Sequence, residues 1–369
     1  MNKQATDITQ IDKNFAAQKA DENGFVYSNV QCAPFSLEGL PWFLENKQAF
    51  YRLPKSLTAK DVNEGALTLC NHTSGVCVRF RSDSPELMLR AKLAYGCDMN
   101  HMPRAGSCGF DSYRKLQGSE LVYNKTLQPN PGQADACALI GINPEKRLCE
   151  WLINFPLYGG VESVEIGLKE GSSLLPPFSR KVEDPVLFYG SSITQGGCAS
   201  RPGNAYTSML CRKVDAPQIN LGFSGSGRGE PAVARAIAGL KLSAFVMDYD
   251  HNAPSPEHLQ NTHEVFFRII RDALPELPVI FLSKCDFYGT EPDVRRRKII
   301  HSTYENAVKA GDRNVYFVDG SILFGNKMRD ACTVDGCHPN DLGFYRMYKH
   351  TLPILAQALK NAAERNRTQ

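Results

Sequence analysis

Strong charge of either sign is missing from this chain of 369 residues. Its 42 lysines and arginines against 39 aspartates and glutamates leave a formal net charge of +3. A balance that close makes no electrostatic case for nucleic acid or an anionic membrane surface. Long apolar runs are missing too. None approaches the roughly 20 residues a bilayer span needs. The opening stretch MNKQATDITQIDKNFAAQKADENG is polar and has no apolar signal core. These absences lead to the expectation of a cytoplasmic protein with no nucleic-acid and no membrane partner. Cysteine is not scarce, at 12 residues, but no CxxC pair occurs and no Cys/His group has zinc-ligand spacing. In a chain of this size scattered cysteines read as free, mostly buried thiols, because disulfide frameworks belong to small secreted domains. Internal repeats and low-complexity segments are absent. So are nucleotide fingerprints: the glycines of GFSGSGRGE do not give GxGxxG, and no Gly-Lys-Ser/Thr follows. Neither a metal nor an organic cofactor is expected.

What is present divides in two. The length suggests two domains, and 42% hydrophobic with 22% charged residues is ordinary for a globular protein. Residues 1–24 read as a polar lead-in, either poorly ordered or a short helix. Residues 25–178 show short runs broken by turn residues, without long amphipathic helices. Val76, Val78 and Phe80 alternate with Cys77 and Arg79, as in a half-buried strand. That rhythm predicts an all-β sandwich, jelly-roll-like. GSSLLPPFSRKVEDP, with Pro176, Pro177 and Pro185, reads as the linker. Residues 179–369 alternate strand and helix. VLFYG, PQINLGFSG, SAFVMDYD, PVIFLSKCD and VYFVDG are the strands, and Ser255 with Pro256 marks a helix start. Five such strands predict a parallel, doubly wound α/β sheet, which binds ligands at its C-terminal strand ends.

The residues just past those strands carry the chemistry. Gly190-Ser191-Ser192 follows the first strand and a Gly-rich turn with Gly225 the second. Asp250-His251-Asn252 follows the third, and Asp335, His338 and Asn340 come after the last. Gly-Ser-Ser alone would be a helix cap, and Asp-x-x-His-Pro alone a surface turn. Together they supply a nucleophile, a base with an orienting carboxylate, and oxyanion donors. Ser192 is the candidate nucleophile, His338 the base and Asp335 the residue fixing its tautomer. The N–H groups of Ser192 and Gly225 and the Asn252 amide are the oxyanion donors. His251 either reaches the site or is a loop histidine. Arg201 either lines the substrate cleft or pairs with a carboxylate. His72, His101, His258, His263, His301 and His350 lack motif partners and read as structural or surface residues. Cys198 and Cys337 read as packing thiols near the site.

In this order the blocks Gly190-Ser191-Ser192-Ile193-Thr194, Asn220-Leu221-Gly222-Phe223-Ser224-Gly225, Asn252 and Asp335-Gly336-Cys337-His338-Pro339 resemble the SGNH (GDSL-type) hydrolase superfamily. The resemblance covers residues 184–365. It implies the same roles for Ser192, Asp335, His338, Gly225 and Asn252. Two departures stand out: Ser191 replaces the usual Asp, and Asn252 sits in DYDHNAP instead of a Gly-x-Asn-Asp setting. CGFDSYRK is similar to the sandwich that precedes this domain in a bimodular bacterial branch. The implied activity is a serine esterase for small acyl groups, acetyl above all, on a small-molecule or oligosaccharide ester. A lysophospholipase, thioesterase or acyltransferase would use the same site, and a non-catalytic carbohydrate-binding protein is the rival of another class. A homo-oligomer is compatible with the sequence.

Overall fold

A computed structural model describes residues 19–285 and 288–368. The polar lead-in expected over residues 1–24 lies largely outside them. Strand β1 (Phe25–Asn29) starts the first domain, followed by β2 (Ser36–Glu38), helix α1 (Glu64–Leu69), β3 (Cys77–Ser82) and β4 (Glu86–Leu93). After helix α2 (Arg104–Ser107) come β5 (Phe110–Lys115), β6 (Val122–Leu127), β7 (Asp135–Ile142), β8 (Cys149–Asn154) and β9 (Val161–Lys169). They form two antiparallel sheets, in the orders β1-β9-β4-β7 and β2-β3-β8-β5-β6. Alternate residues of both sheets meet in one core, with Val78, Phe80, Trp151 and Ile153 from one and Leu87, Leu89, Val164 and Ile166 from the other. This is the β-sandwich.

β3 departs from the half-buried strand its alternation predicts, because both its faces are covered. Cys77 and Arg79 are 5% and 3% exposed. On that face Arg79 pairs with Glu150 of β8 at 2.8 Å and Glu38 of β2 at 2.9 Å. Arg180 extends the network to Glu38 at 2.6 Å and Asp215 at 3.3 Å. A polar residue at such a position looks solvent-facing in sequence, yet here it is buried in an ion-pair network that reaches the second domain through Arg180.

The second domain holds β10 (Val186–Gly190), α3 (Ser192–Gln195), α4 (Tyr206–Val214), β11 (Gln218–Gly222), α5 (Pro231–Ala238) and β12 (Ala244–Asp248). It continues with α6 (Pro256–Ala273), β13 (Val279–Leu282), α7 (Glu291–Lys309), β14 (Val315–Val318) and α8 (Asp341–Thr368). The five strands are parallel, in the order β11-β10-β12-β13-β14. Helix α6 begins as its sequence predicts, with Ser255 Oγ accepting from the His258 N–H at 3.2 Å and Pro256 at its first position. Leu259, His263, Phe266, Phe267 and Ile270 bury its inner face, at three- and four-residue steps. The chain leaves β10 for neighbours on opposite sides, so the crevice of the sheet opens at the end of β10. Among the described residues no helix is long and apolar enough to cross a membrane. The twelve cysteines are all free.

Residues 42–70 lie in sequence between β2 and β3, and while Phe43 and Phe50 pack on the sandwich core, much of the segment packs elsewhere. Trp42, Leu53, Val62, Ala66 and Cys70 join Leu187, Tyr189, Ile219, Leu221, Phe223 and Val233 in the core of the α/β domain. Arg52 anchors this segment. It is fully buried; its Nη1 donates to the carbonyls of Asn220 (2.9 Å) and Gly222 (2.8 Å), and its Nη2 to that of Leu69 (2.8 Å). The guanidinium also lies 4.7 Å from the Phe223 ring centroid. Burial draws its pKa down to about 10, which still leaves it charged at neutral pH. Arg52→Met would remove the guanidinium donors from the Asn220 and Gly222 carbonyls. The expected loss is about 3 kcal/mol of stability, read as a lower urea midpoint at unchanged m-value.

Candidate active site

The last residue of β10, Gly190, turns the chain into α3. Ser191 caps that helix, its Oγ accepting from the Ile193 N–H at 3.2 Å. Ser192 therefore occupies the first helical position, and its own N–H has no partner among the described residues. The Ser192 side chain meets His338, with Oγ 3.0 Å from Nε2. His338 Nδ1 lies 2.7 Å from Asp335 Oδ2. The other oxygen of Asp335 accepts from the backbone N–H groups of His338 (2.7 Å) and Cys337 (2.9 Å), so the carboxylate and the ring are fixed by one short loop. Burial alone would raise the Asp335 carboxyl; the His338 ring and these two N–H donors outweigh it and hold the pKa at about 2.

The turn after β11 approaches the same spot. The Phe223 N–H donates to the Gly190 carbonyl at 2.9 Å. Gly222 is required by close approach, since a Cβ there would sit 2.2 Å from the Gln195 nitrogen. Gly225 has a φ of +67°, which favours glycine, and its N–H has no partner among the described residues. Asn252 Oδ1 accepts from the Gly227 N–H at 3.4 Å, which leaves its Nδ2 without a partner among the described residues. The position in DYDHNAP thus places the Asn252 carboxamide on the glycine turn.

Two predicted substrate contacts are placed differently. Arg201 takes the carboxylate-pairing alternative: its Nη1 lies 2.6 Å from Asp111 Oδ2, and it donates to the Tyr113 hydroxyl. Its guanidinium also sits 4.2 Å from the Tyr123 ring centroid. Asp111 further accepts from the Gly203 N–H at 2.9 Å and from Asn154 at 2.8 Å. The CGFDSYRK motif of the sandwich therefore clamps the loop that follows α3. His251 packs behind the loop of Asp335 and His338, its Nδ1 3.9 Å from Cys337 Sγ and its Nε2 buried without a partner among the described residues. Burial, then the charges of Lys284 and His338, push its pKa well below the usual range, so the ring is neutral.

Other residues near the site carry no signal in the sequence beyond their type. Gln195, one turn after Ser192, donates to His72 Nδ1 (2.9 Å) and the Leu157 carbonyl (3.1 Å), and its Oε1 accepts from the Ser224 N–H (2.9 Å). It ties the helix of Ser192 to the Gly225 turn and both to the sandwich. Burial lowers the His72 pKa to about 3, so this histidine is a neutral acceptor. Asp248, at the end of β12, accepts from Thr194 (2.9 Å) and Tyr206 (2.8 Å) beneath the same helix. Burial and Asp250 push its carboxyl well above the ordinary range. His101 of the sandwich reaches across the domain boundary, its Nε2 3.6 Å from Asp335 Oδ2.

Comparison with known proteins fits this geometry. Residues 183–356 match the GDSL-like lipase/acylhydrolase family, and residues 25–174 match the GxDLY domain, the N-terminus of SGNH-hydrolase-type esterases. That second motif is here Gly109-Phe110-Asp111-Ser112-Tyr113, whose Asp and Tyr hold Arg201. No match was found among curated proteins. A crystal structure described as a GDSL-like lipase from Bacteroides ovatus is 28% identical, with a TM-score of 0.81, covering 91% of this chain and 98% of that one. The salicylyl-acyltransferase SsfX3 of a tetracycline biosynthetic pathway is 18% identical, with a TM-score of 0.75 and coverages of 91% and 98%. An acetyl xylan esterase from the rumen bacterium Butyrivibrio proteoclasticus is 13% identical, with a TM-score of 0.56 and coverages of 91% and 99%. With both domains matched in their order along the chain, the protein belongs to the two-domain branch of the SGNH (GDSL-type) hydrolases and is a serine esterase of that type.

Proposed function

We propose that this esterase removes small acyl groups, chiefly acetyl, from carbohydrates through an acyl-enzyme on Ser192. The observation that carries this reading is the hydrogen-bonded chain Ser192–His338–Asp335 beside N–H groups that lack partners among the described residues. Ser192 Oγ attacks the ester carbonyl while His338 Nε2 takes its proton. Asp335 keeps the remaining ring proton on Nδ1 and offsets the positive charge formed there. The oxyanion is received by the N–H groups of Ser192 and Gly225 and by the Asn252 amide. Collapse of the tetrahedral intermediate expels the alcohol, which takes the proton from Nε2. Water then repeats the sequence on the acyl-enzyme and releases the acid.

The carbohydrate part of the reading rests on the rim of the site. The sandwich brings His101 to Asp335. Tyr288 lies against Gly336 with 72% of its surface exposed, a face suited to stacking on a sugar ring. An acetyl xylan esterase among the structural neighbours agrees with this substrate class. The likeness to an acyltransferase favours a second reading, in which a hydroxyl acceptor replaces water.

A chromogenic acetyl ester, a panel of acetylated sugars and a fluorophosphonate probe test the proposal. Acetate release, falling turnover with longer acyl chains and labelling at Ser192 are expected. No turnover together with no labelling would overturn it, and acyl-sugar products in place of free acetate would favour the transferase. Asn252→Ala is expected to lower kcat by about 10²–10³ with little change in KM, because its amide acts on the oxyanion alone.

A further inference from the structure

His101, Asp335 and His338 bring three metal-ligating atoms together from two domains. Those atoms all lie within 4.8 Å of one another. His101 comes from the sandwich and the other two from the loop before α8, so nothing in the sequence spacing joins them. We propose that this cluster is an inhibitory binding site for a divalent transition-metal ion of the zinc type.

The geometry suits such an ion. Zinc bonds of about 2.0–2.2 Å to nitrogen and oxygen set neighbouring ligand atoms roughly 3.4 Å apart in a tetrahedron. His101 Nε2 and Asp335 Oδ2 stand 3.6 Å apart, and Asp335 Oδ2 and His338 Nδ1 2.7 Å. A small opening of the second pair admits the ion. The His101 side chain is 46% exposed and has room to adjust, and solvent supplies the fourth ligand. Two imidazoles and one carboxylate select zinc, copper, nickel or cobalt over magnesium and calcium, which prefer oxygen.

Binding would silence the base without touching Ser192. In the resting enzyme the neutral His338 ring carries its proton on Nδ1, toward Asp335, and Nε2 accepts from Ser192. A metal on Nδ1 takes the place of that proton. The proton moves to Nε2, so the ring stays neutral and no proton is released. Nε2 then donates to Ser192 Oγ and has no lone pair left to receive the serine proton. Inhibition rests on the serine-esterase reading; occupancy of the site does not.

The test uses the full chain, cleared of metal with a chelator. Zinc is expected to inhibit hydrolysis of a chromogenic acetyl ester, with reversal by chelator and no effect of magnesium at equal concentration. Measured against its own zinc-free turnover, His101→Ala should raise the inhibitory zinc concentration at least tenfold. Cobalt titration reads occupancy without activity. One ion should bind with weak visible bands of nitrogen and oxygen ligands, and binding should be lost in both His101→Ala and Asp335→Asn. Equal inhibition of the wild type and His101→Ala would overturn the proposal. So would intense thiolate bands, which would place the ion on cysteines such as Cys337. If the protein hydrolyses no ester at all, the functional reading fails, and the cobalt result still decides the site.

Discussion

Ser192→Ala is expected to lower kcat/KM for an acetyl ester by about 10⁵–10⁶, whereas Ser191→Ala keeps turnover within about tenfold. The two serines are adjacent, both buried, and bound to different partners. Ser192 Oγ points to His338 Nε2 at 3.0 Å, and its loss leaves the base with no nucleophile to activate. Ser191 Oγ faces the backbone, capping α3 through the Ile193 N–H. Alanine there removes a cap, worth about 1 kcal/mol of stability. Steady-state kinetics with thermal melts separate the two outcomes. Ser191→Ala should melt earlier and remain active; Ser192→Ala should melt normally and be inactive. The reverse pattern would shift the whole site by one residue.

Asp335→Asn should cost about 10⁴ in kcat. An amide at this position donates to Nδ1 and drives the ring proton to Nε2, where it blocks acceptance from Ser192. The pH dependence follows from the same carboxylate. Its pKa is lowered from the ordinary 3.8 to about 2, so the ionised form is favoured by folding. That contribution to stability is complete above the ordinary value and fades as pH falls through about 2. Asp335 therefore stays ionised throughout the acid side of a pH–rate profile, and loss of activity there is not its titration. In Asp335→Asn the remaining activity should be recovered in part at high pH, where hydroxide can take over the role of the base. A variant retaining more than a tenth of wild-type kcat would remove Asp335 from the mechanism.

Local chemistry made much of this legible. Strand ends, the Ser255 cap and the glycine turn at 225 each follow from residue type over a few positions, and the Asp335–His338 pair closes within one short loop. Features set by packing between distant segments were not legible. The Arg201–Asp111 pair spans the two domains, so sequence could offer only the alternatives of cleft or ion pair. His101 has no neighbour in sequence that hints at Asp335. Gln195 sits one turn from Ser192, but a glutamine after a nucleophile signals nothing until Ser224 and His72 appear on either side of it. Arg79 reads as solvent-facing because alternation reports one buried face, and here the second face is covered as well.

The placement of residues 42–70 bears on how the chain is made. During synthesis the strands of the sandwich emerge first, and they flank a segment several of whose apolar side chains belong to a core not yet translated. Trp42, Leu53 and Val62 must await β10 to β13, which end about 200 residues later. At about 5–20 residues per second that is a delay of roughly 10–40 s with an apolar segment uncovered on the nascent chain. The two domains are thus successive along the chain but not independent in time: the first finishes folding only when the second supplies the partner it has been holding a place for.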